Sequence, residues 1–227
     1  MAAEQVARGV YQVAGPDLTG GGDAAAYLVL FEGEAALIDA GADAKAKALI
    51  ANIDEVLNGS GISLELLVLT HNHIDHVGGA AAIKKRYGVE IVMHALDAPA
   101  LENGDNHATA ADMYNTKVQP VEVDLYIEEK VYPLELEGGR LTCLHTPGHT
   151  PGSISVLLER DGNRILFGQD IHGPFMPQFN SDLDEWRTSM LKLLKLKCDI
   201  LCEGHFGVIE PEDSVAAFIK QHLRSNT

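Results

Sequence analysis

The sequence predicts an α/β protein of four layers, two mixed sheets packed face to face with helices outside. Three observations carry this expectation. Strand-like segments run in a meander and then give way to a helix, and the chain does this twice. Two such meanders bury their apolar faces against each other when the helices stand outside. The chain has 227 residues, 46% of them hydrophobic and 22% charged, which is the profile of a globular protein and long enough for one large α/β domain spanning 1–227.

Taking the elements in order, Val6–Val13, Ala25–Phe31 and Ala35–Ile38 alternate or run apolar like strands, with a turn at Glu32-Gly33 between the last two. Asp43 is placed to cap a helix through about Leu57, and Asn58-Gly59-Ser60-Gly61 closes it before the apolar strand Leu64–Leu69. The small residues from Gly78 to Ala82 lead into a helix ending near Gly88, and Val89–Met93 is the next strand. Leu101–Pro120 interrupts the rhythm and reads as an insertion lining the pocket, with a loop at Asn103–Asn106 and a short helix over His107–Lys117. Strands then follow at Val121–Ile127, Lys130–Leu136, Arg140–His145, Ser153–Glu159 and Arg164–Phe167, with turns at Gly138-Gly139 and Asp161-Gly162. Asp182 or Asp184 caps a helix to about Leu196, Asp199–Cys202 is a short strand, and Pro211–Arg224 is a final helix with Pro211 in its first turn.

Seventeen Lys and Arg against 33 Asp and Glu give a formal charge of −16, a field that repels phosphate backbones and anionic membranes. Nucleic acid and membrane surfaces are therefore not expected partners; a small molecule is. The start, Met1–Tyr11, carries Glu4 and Arg8 and does not read as an export signal, and no segment has the apolar length of a membrane span. Cys143, Cys198 and Cys202 are too few for a disulfide framework and read as small core hydrophobes, which suits a reducing cytoplasm.

The densest chemistry is Thr70-His71-Asn72-His73-Ile74-Asp75-His76, where four metal-ligating side chains fall just past an apolar strand. Residues two apart in extended backbone point the same way, so His71 and His73 can converge on one cation, while Asp75 and His76 aim at a neighbouring point. Three more candidates also follow strands: His149 in Thr146-Pro147-Gly148-His149-Thr150-Pro151-Gly152, Asp170, and His205. Ligands delivered from the ends of several strands can meet at one edge of a sandwich, where seven donors would serve two ions.

In order and spacing, His71-x-His73-x-Asp75-His76, the Thr-Pro-Gly-His-Thr turn at His149, Asp170 and His205 together resemble the metallo-β-lactamase superfamily. The segment Leu37-Ile38-Asp39-Ala40-Gly41 is similar to that family's first motif, and the resemblance spans nearly the whole chain. It implies the family's αβ/βα sandwich. It also implies two divalent ions, Zn²⁺ first and Fe or Mn as options: His71, His73 and His149 on one, Asp75, His76 and His205 on the other, and Asp170 bridging them. Asp39 would stand behind the ligands, orienting an imidazole rather than touching metal. A hydroxide shared by the ions would be the nucleophile, with Asp75 steering it or protonating the leaving group.

Departures from known branches narrow the function. The commonest zinc β-lactamases carry Cys where Asp170 stands and are exported. Glyoxalase II enzymes share all seven ligand types but append a helical glutathione-binding domain, whereas only Phe206–Thr227 follows His205. Acyl-homoserine lactonases place Tyr where this chain has Gly173, and transfer-RNA 3′-processing nucleases carry a basic arm that a chain of charge −16 lacks. Gln169 stands where much of the superfamily has Gly before the bridging Asp. Flavodiiron-type reductases have an acidic residue at the position of His73 and need a flavodoxin domain. The expected activity is dinuclear metal-dependent hydrolysis of a small ester, thioester or lactone. The alternative is a persulfide dioxygenase-like oxidoreductase holding one iron through His71, His149 and Asp170. Of the remaining imidazoles, His94, His107, His145 and His222 read as structural, and His172 as a substrate contact. Tyr114, Phe175, Met176 and Phe179 read as packing at the core or rim, with specificity expected from the Leu101–Pro120 insertion and the His172–Asp184 loop.

Overall fold

The computed structural model describes residues 3–226; Met1, Ala2 and Thr227, which end the expected 1–227 unit and begin the Met1–Tyr11 segment, lie outside the described residues. The first half builds a seven-stranded sheet in sequence order: β1 (Glu4–Ala7), β2 (Val10–Ala14), β3 (Ala26–Leu30), β4 (Glu34–Ile38), β5 (Ser63–Val68), β6 (Glu90–His94) and β7 (Leu125–Ile127). β1 to β4 are an antiparallel meander, and β4 to β7 are parallel. The parallel crossovers carry the helices α1 (Lys47–Leu57), α2 (Ile74–Val77), α3 (Ala80–Tyr87) and α4 (Ala98–Glu102). The second half is a six-stranded sheet ordered β13 (Gly207–Ile209), β12 (Ile200–Glu203), β11 (Asn163–Phe167), β10 (Ile154–Arg160), β9 (Gly139–His145), β8 (Val131–Leu136). In it only β11 and β12 run parallel, and α5 (Leu183–Leu194) is their crossover; α6 (Glu212–Ser225) closes the chain.

Three separate apolar layers show how the sheets stack. Tyr27, Val29, Ile38 and Val68 of the first sheet meet Leu141, Cys143, Val156 and Phe167 of the second. Their strand neighbours Leu28, Leu37, Leu67 and Ile91 face the other way, against Leu49, Ile53 and Ile83 of α1 and α3. Leu144, Leu166 and Leu201 back the second sheet against Trp186, Met190, Val215 and Ile219 of α5 and α6. Alternate residues are thus buried on opposite faces, so central strands such as β3 and β4 are apolar almost throughout, whereas the edge strand β8 alternates exposed with buried residues. The order is helices, sheet, sheet, helices. All three cysteines are free and buried, and burial pushes the Cys143 and Cys198 thiols up to about 12.

Several boundaries differ from expectation. Val6–Val13 is a hairpin rather than one strand, because Gly9 takes φ +68 and turns the chain between β1 and β2. Only Leu125–Ile127 of Val121–Ile127 pairs with β6. His107–Lys117 is a chain of turns rather than a helix, since Ala110 (φ +57) and Asn115 (φ +52) lie in the left-handed region. The short elements α2, α4 and β13 carry no expectation from the sequence. Asp182, not Asp184, caps α5: its Oδ1 accepts from the backbone N–H groups of Asp184 (2.8 Å) and Glu185 (2.9 Å). Asp43 accepts from the N–H groups of Lys45 and Lys47 ahead of α1, and Pro211 sits one residue outside α6.

Candidate metal centre

Every candidate ligand leaves the end of a strand at one edge of the sandwich. β5 runs into Thr70 and the histidine motif, β9 into the turn at His149, β11 into Asp170 and β12 into His205. The edge is knitted across the two sheets: Ile154 donates its N–H to the Thr70 carbonyl (2.8 Å), and Ala25 to that of Gly204 (2.8 Å). Within the motif the chain bends at His71 and Asn72, is extended at His73, and then coils into α2, which carries Asp75 and His76.

The side chains converge in two groups. Ligand atoms of His71, His73, His149 and Asp170 lie within 4.8 Å of one another, as do those of Asp75, His76, Asp170 and His205. Asp170 belongs to both and divides its oxygens between them. Its Oδ2 lies 3.5 Å from His149 Nε2 and 3.9 Å from His71 Nε2, whereas Oδ1 lies 3.1 Å from His76 Nε2 and 3.2 Å from His205 Nε2.

Outer partners fix which nitrogen each ring presents. The Nδ1 atoms of His71, His76 and His149 face oxygens: Thr70 Oγ1 at 3.2 Å, Asp39 Oδ2 at 2.6 Å and the Pro174 carbonyl at 2.8 Å. Each ring therefore keeps its Nε2 for the centre. His73 points its Nδ1 inward, 2.9 Å from His149 Nε2. The Nε2 atoms of His71 and His76 and Oδ1 of Asp170 are buried with no hydrogen-bond partner. Buried polar atoms are ordinarily satisfied, and electron pairs left bare and pointed at one another fit a cation between them. The donor set passes that test for both groups.

Electrostatics separate the two groups. Burial, with the neighbouring imidazoles adding to it, holds His71 well below the usual histidine range and His73 down at about 3, and burial also lowers His149, so the first group is neutral imidazole ready to donate. In the second group burial opposes protonation, but the carboxylates win: Asp170, Asp39 and Asp75 raise His76, and Asp170 and Asp75 lift His205 to about 10. Asp170 and Asp75 are lowered in return, against their own burial, by the neighbouring imidazoles of His76 and His205. Protons there occupy the place of positive charge that a dication would take.

Asp39 is fully buried and held at φ +62; its carboxylate also accepts from the Thr70 N–H and hydroxyl and from the Gln169 amide. Gln169 has φ +44, which explains why glycine suits that position in the family pattern; here a side chain is accepted and joins the Asp39 network. His172 lies outside both groups, its Nδ1 2.7 Å from Glu203 Oε1 and its ring 5.3 Å from that of His205. Glu203 is fully buried and its other oxygen accepts from the His205 and Phe206 N–H groups. Tyr114, expected to be rim packing, donates its hydroxyl to Asp75 Oδ2 at 2.9 Å. Phe179 stacks edge-on against His73, and Phe175 packs on Trp186. His94 and His145 stack on each other at 4.0 Å, away from the ligand groups, and His107 is an exposed residue of the insertion. His222 stacks on Phe218 in α6 and lies 6.2 Å from His172.

Three contributors escaped the sequence reading. Glu203 is a lone acid closing the apolar strand β12, and that misfit was the available signal. Asp97 carries no expectation from the sequence at all, and Thr70 enters only as one more polar residue at a strand end.

A β-sandwich carrying two His/Asp groups that share one carboxylate defines the metallo-hydrolase class, in which the protein supplies the ligands and bound metal the reactivity. A family model described as the metallo-beta-lactamase superfamily matches residues 19–205, and the chain belongs to that superfamily. It is similar to a probable metallo-hydrolase of Bacillus subtilis, YflN, with 28% identity covering 74% of each chain. The hydroxyacylglutathione hydrolase GloC of Haemophilus influenzae is 35% identical over 62% of each chain. Among solved structures, a metallo-β-lactamase from Cronobacter sakazakii altered in its HARLDQ motif superposes with a TM-score of 0.81 over 99% of this chain and 95% of that one, at 21% identity, a likeness of fold. No helix among the described residues is long and apolar enough to cross a membrane.

Proposed function

We propose that the protein is a dinuclear metal-dependent hydrolase of a small ester, thioester or lactone. The observation that carries this reading is Asp170, whose two oxygens each face a separate group of ligand atoms, with His71 Nε2 in one group and His76 Nε2 in the other buried without a hydrogen-bond partner. His71, His73 and His149 would hold one ion, Asp75, His76 and His205 the other, and Asp170 would join them. Nitrogen and oxygen donors without thiolate suit zinc, with iron and manganese as close alternatives. When bound, the ions supply Lewis acidity and bring a water to its hydroxide form near neutral pH, so that no Ser or Cys nucleophile is needed.

The chain's own residues do the rest. Asp39 and Thr70 hold the His76 and His71 rings so that their Nε2 atoms point inward. Asp75, with one oxygen accepting from Tyr114, is placed to steer the attacking water and to carry a proton to the leaving group. The centre opens on the side of His205, the one exposed ligand, where Glu203 holds His172 in reach of a substrate. The turns of 101–120 deliver Tyr114 to the same opening and so line the pocket. A thioester is the first substrate class to test. One relative is named for hydrolysing a hydroxyacylglutathione, and another, from Passalora fulva, is named a thioesterase; it is 26% identical over 77% of this chain and 45% of its own length.

The test is elemental mass spectrometry of protein purified without added metal, followed by an ester, thioester and lactone screen. About two equivalents with turnover of one class supports the reading. One equivalent of iron, with oxygen consumed on persulfide and no hydrolysis, would replace it with the mononuclear alternative on His71, His149 and Asp170.

A further inference from the structure

Asp97 occupies the position just before α4, where an aspartate ordinarily accepts the first free N–H groups of the helix. It does not do so here. No hydrogen bond runs from α4 to its side chain, and the carboxylate, 1% exposed, turns toward the metal centre instead. Oδ2 accepts from the Asn72 N–H (3.2 Å) and the Thr150 hydroxyl (2.6 Å), and Oδ1 from the Gly152 N–H (2.7 Å). Asn72 lies between His71 and His73, and Thr150 follows His149. One buried carboxylate therefore fastens together the two loops that supply all three imidazoles of the first group. None of these hydrogen bonds goes to Asp75, His76 or His205 themselves.

We infer that Asp97 is a positioning residue for one half of the centre, setting the spacing between the His71–His73 loop and the His149 loop and with it the affinity of that half for its ion. The inference rests on the two-group reading above. It is physically reasonable because the loops come from different sheets: the Ile154–Thr70 backbone bond joins them at the strand ends, and Asp97 adds a link beside the ligands themselves. Outer partners of this kind typically govern affinity by about 10–100-fold.

The experiment is zinc binding by the apo-protein in competition with a chromophoric chelator, comparing the wild type with Asp97→Asn and Thr150→Val. Thr150→Val removes the hydroxyl's hydrogen bonds to Asp97 and to Ser153 while leaving Asp97 in place, so it decides the matter if circular dichroism shows Asp97→Asn to be unfolded. One equivalent should weaken by about 10–100-fold and the other should hold. To assign the weakened equivalent, Thr150→Val is combined with His205→Ala, where the remaining equivalent should weaken, and with His73→Ala, where it should not. Folded variants that bind both equivalents like the wild type, or that lose both alike, overturn the inference. A wild type that takes up a single equivalent sinks the two-ion reading instead, and the inference then stands or falls on whether Thr150→Val weakens that equivalent. A wild type that binds none ends both.

Discussion

Three imidazoles of the centre, those of His71, His76 and His149, are oriented by the oxygens behind them, and the consequences can be read residue by residue. Asp170 is the strongest case, since both groups depend on its oxygens. Asp170→Ala is expected to lower hydrolysis by about 100-fold or more and to remove about one metal equivalent, read by turnover and elemental analysis together. Full occupancy with unchanged turnover would refute a bridging role. A second expectation concerns acid. Burial, with His145 beside it, holds His94 down at about 4 from an ordinary 6.5. Between those values the unfolded chain binds the proton and the folded chain does not, so stability is fully present above about pH 6.5 and falls as the pH drops toward 4. His94→Asn should flatten that part of the urea-midpoint profile; a slope identical to the wild type's would place the acid lability elsewhere. The seven ligand candidates were legible because four of them crowd into six positions and the others each close a strand. Asp97 was not, because its partners Asn72 and Thr150 are distant in the chain and nothing local announces them.

At the scale of elements, turns matter as much as strands. Gly148 has φ +137, and a Cβ there would run into the backbone of Trp186 on α5. Gly148→Ala is expected to cost about 1–3 kcal/mol in urea denaturation and, by shifting the turn, to weaken metal binding at His149. An alanine variant with wild-type stability and occupancy would show that the turn adapts. Apolar runs and capping residues made most strands and helices readable: Asp182 starts α5, and Gly88 at φ +75 stops α3. The turn region 107–117 misread as helix because its composition is permissive and Ala110, left-handed in the middle of it, is of a type that does not signal that conformation. The hairpin at Gly9 was hidden for a related reason, a single glycine in an otherwise strand-like run.

Across the whole molecule, the centre sits where both sheets end, so bound metal ties the sheets to each other. Anything that binds only the folded state stabilises it by mass action, about 4 kcal/mol at a thousand times its dissociation constant. Chelator treatment should therefore lower the melting temperature and zinc should restore it, measured calorimetrically at fixed ionic strength. A melting temperature indifferent to chelator would mean that the two sheets need no such tie. The four-layer order was legible from the repeated strand-then-helix pattern; the mixed pairing, with parallel strands only beside a helical crossover, followed from the chain's connections rather than from any single segment.

The dispersal of the ligands along the chain has a consequence for the protein's birth. A ribosome releases the chain from its N-terminus, so the cluster His71–His76 emerges with β12, β13 and α6 still unmade and His205 not yet present. A nascent chain can present imidazoles to passing cations but cannot enclose one. The second of the two ligand groups is complete only once His205 has been made, so a cation held there would mark a chain whose strands through β12 have all arrived.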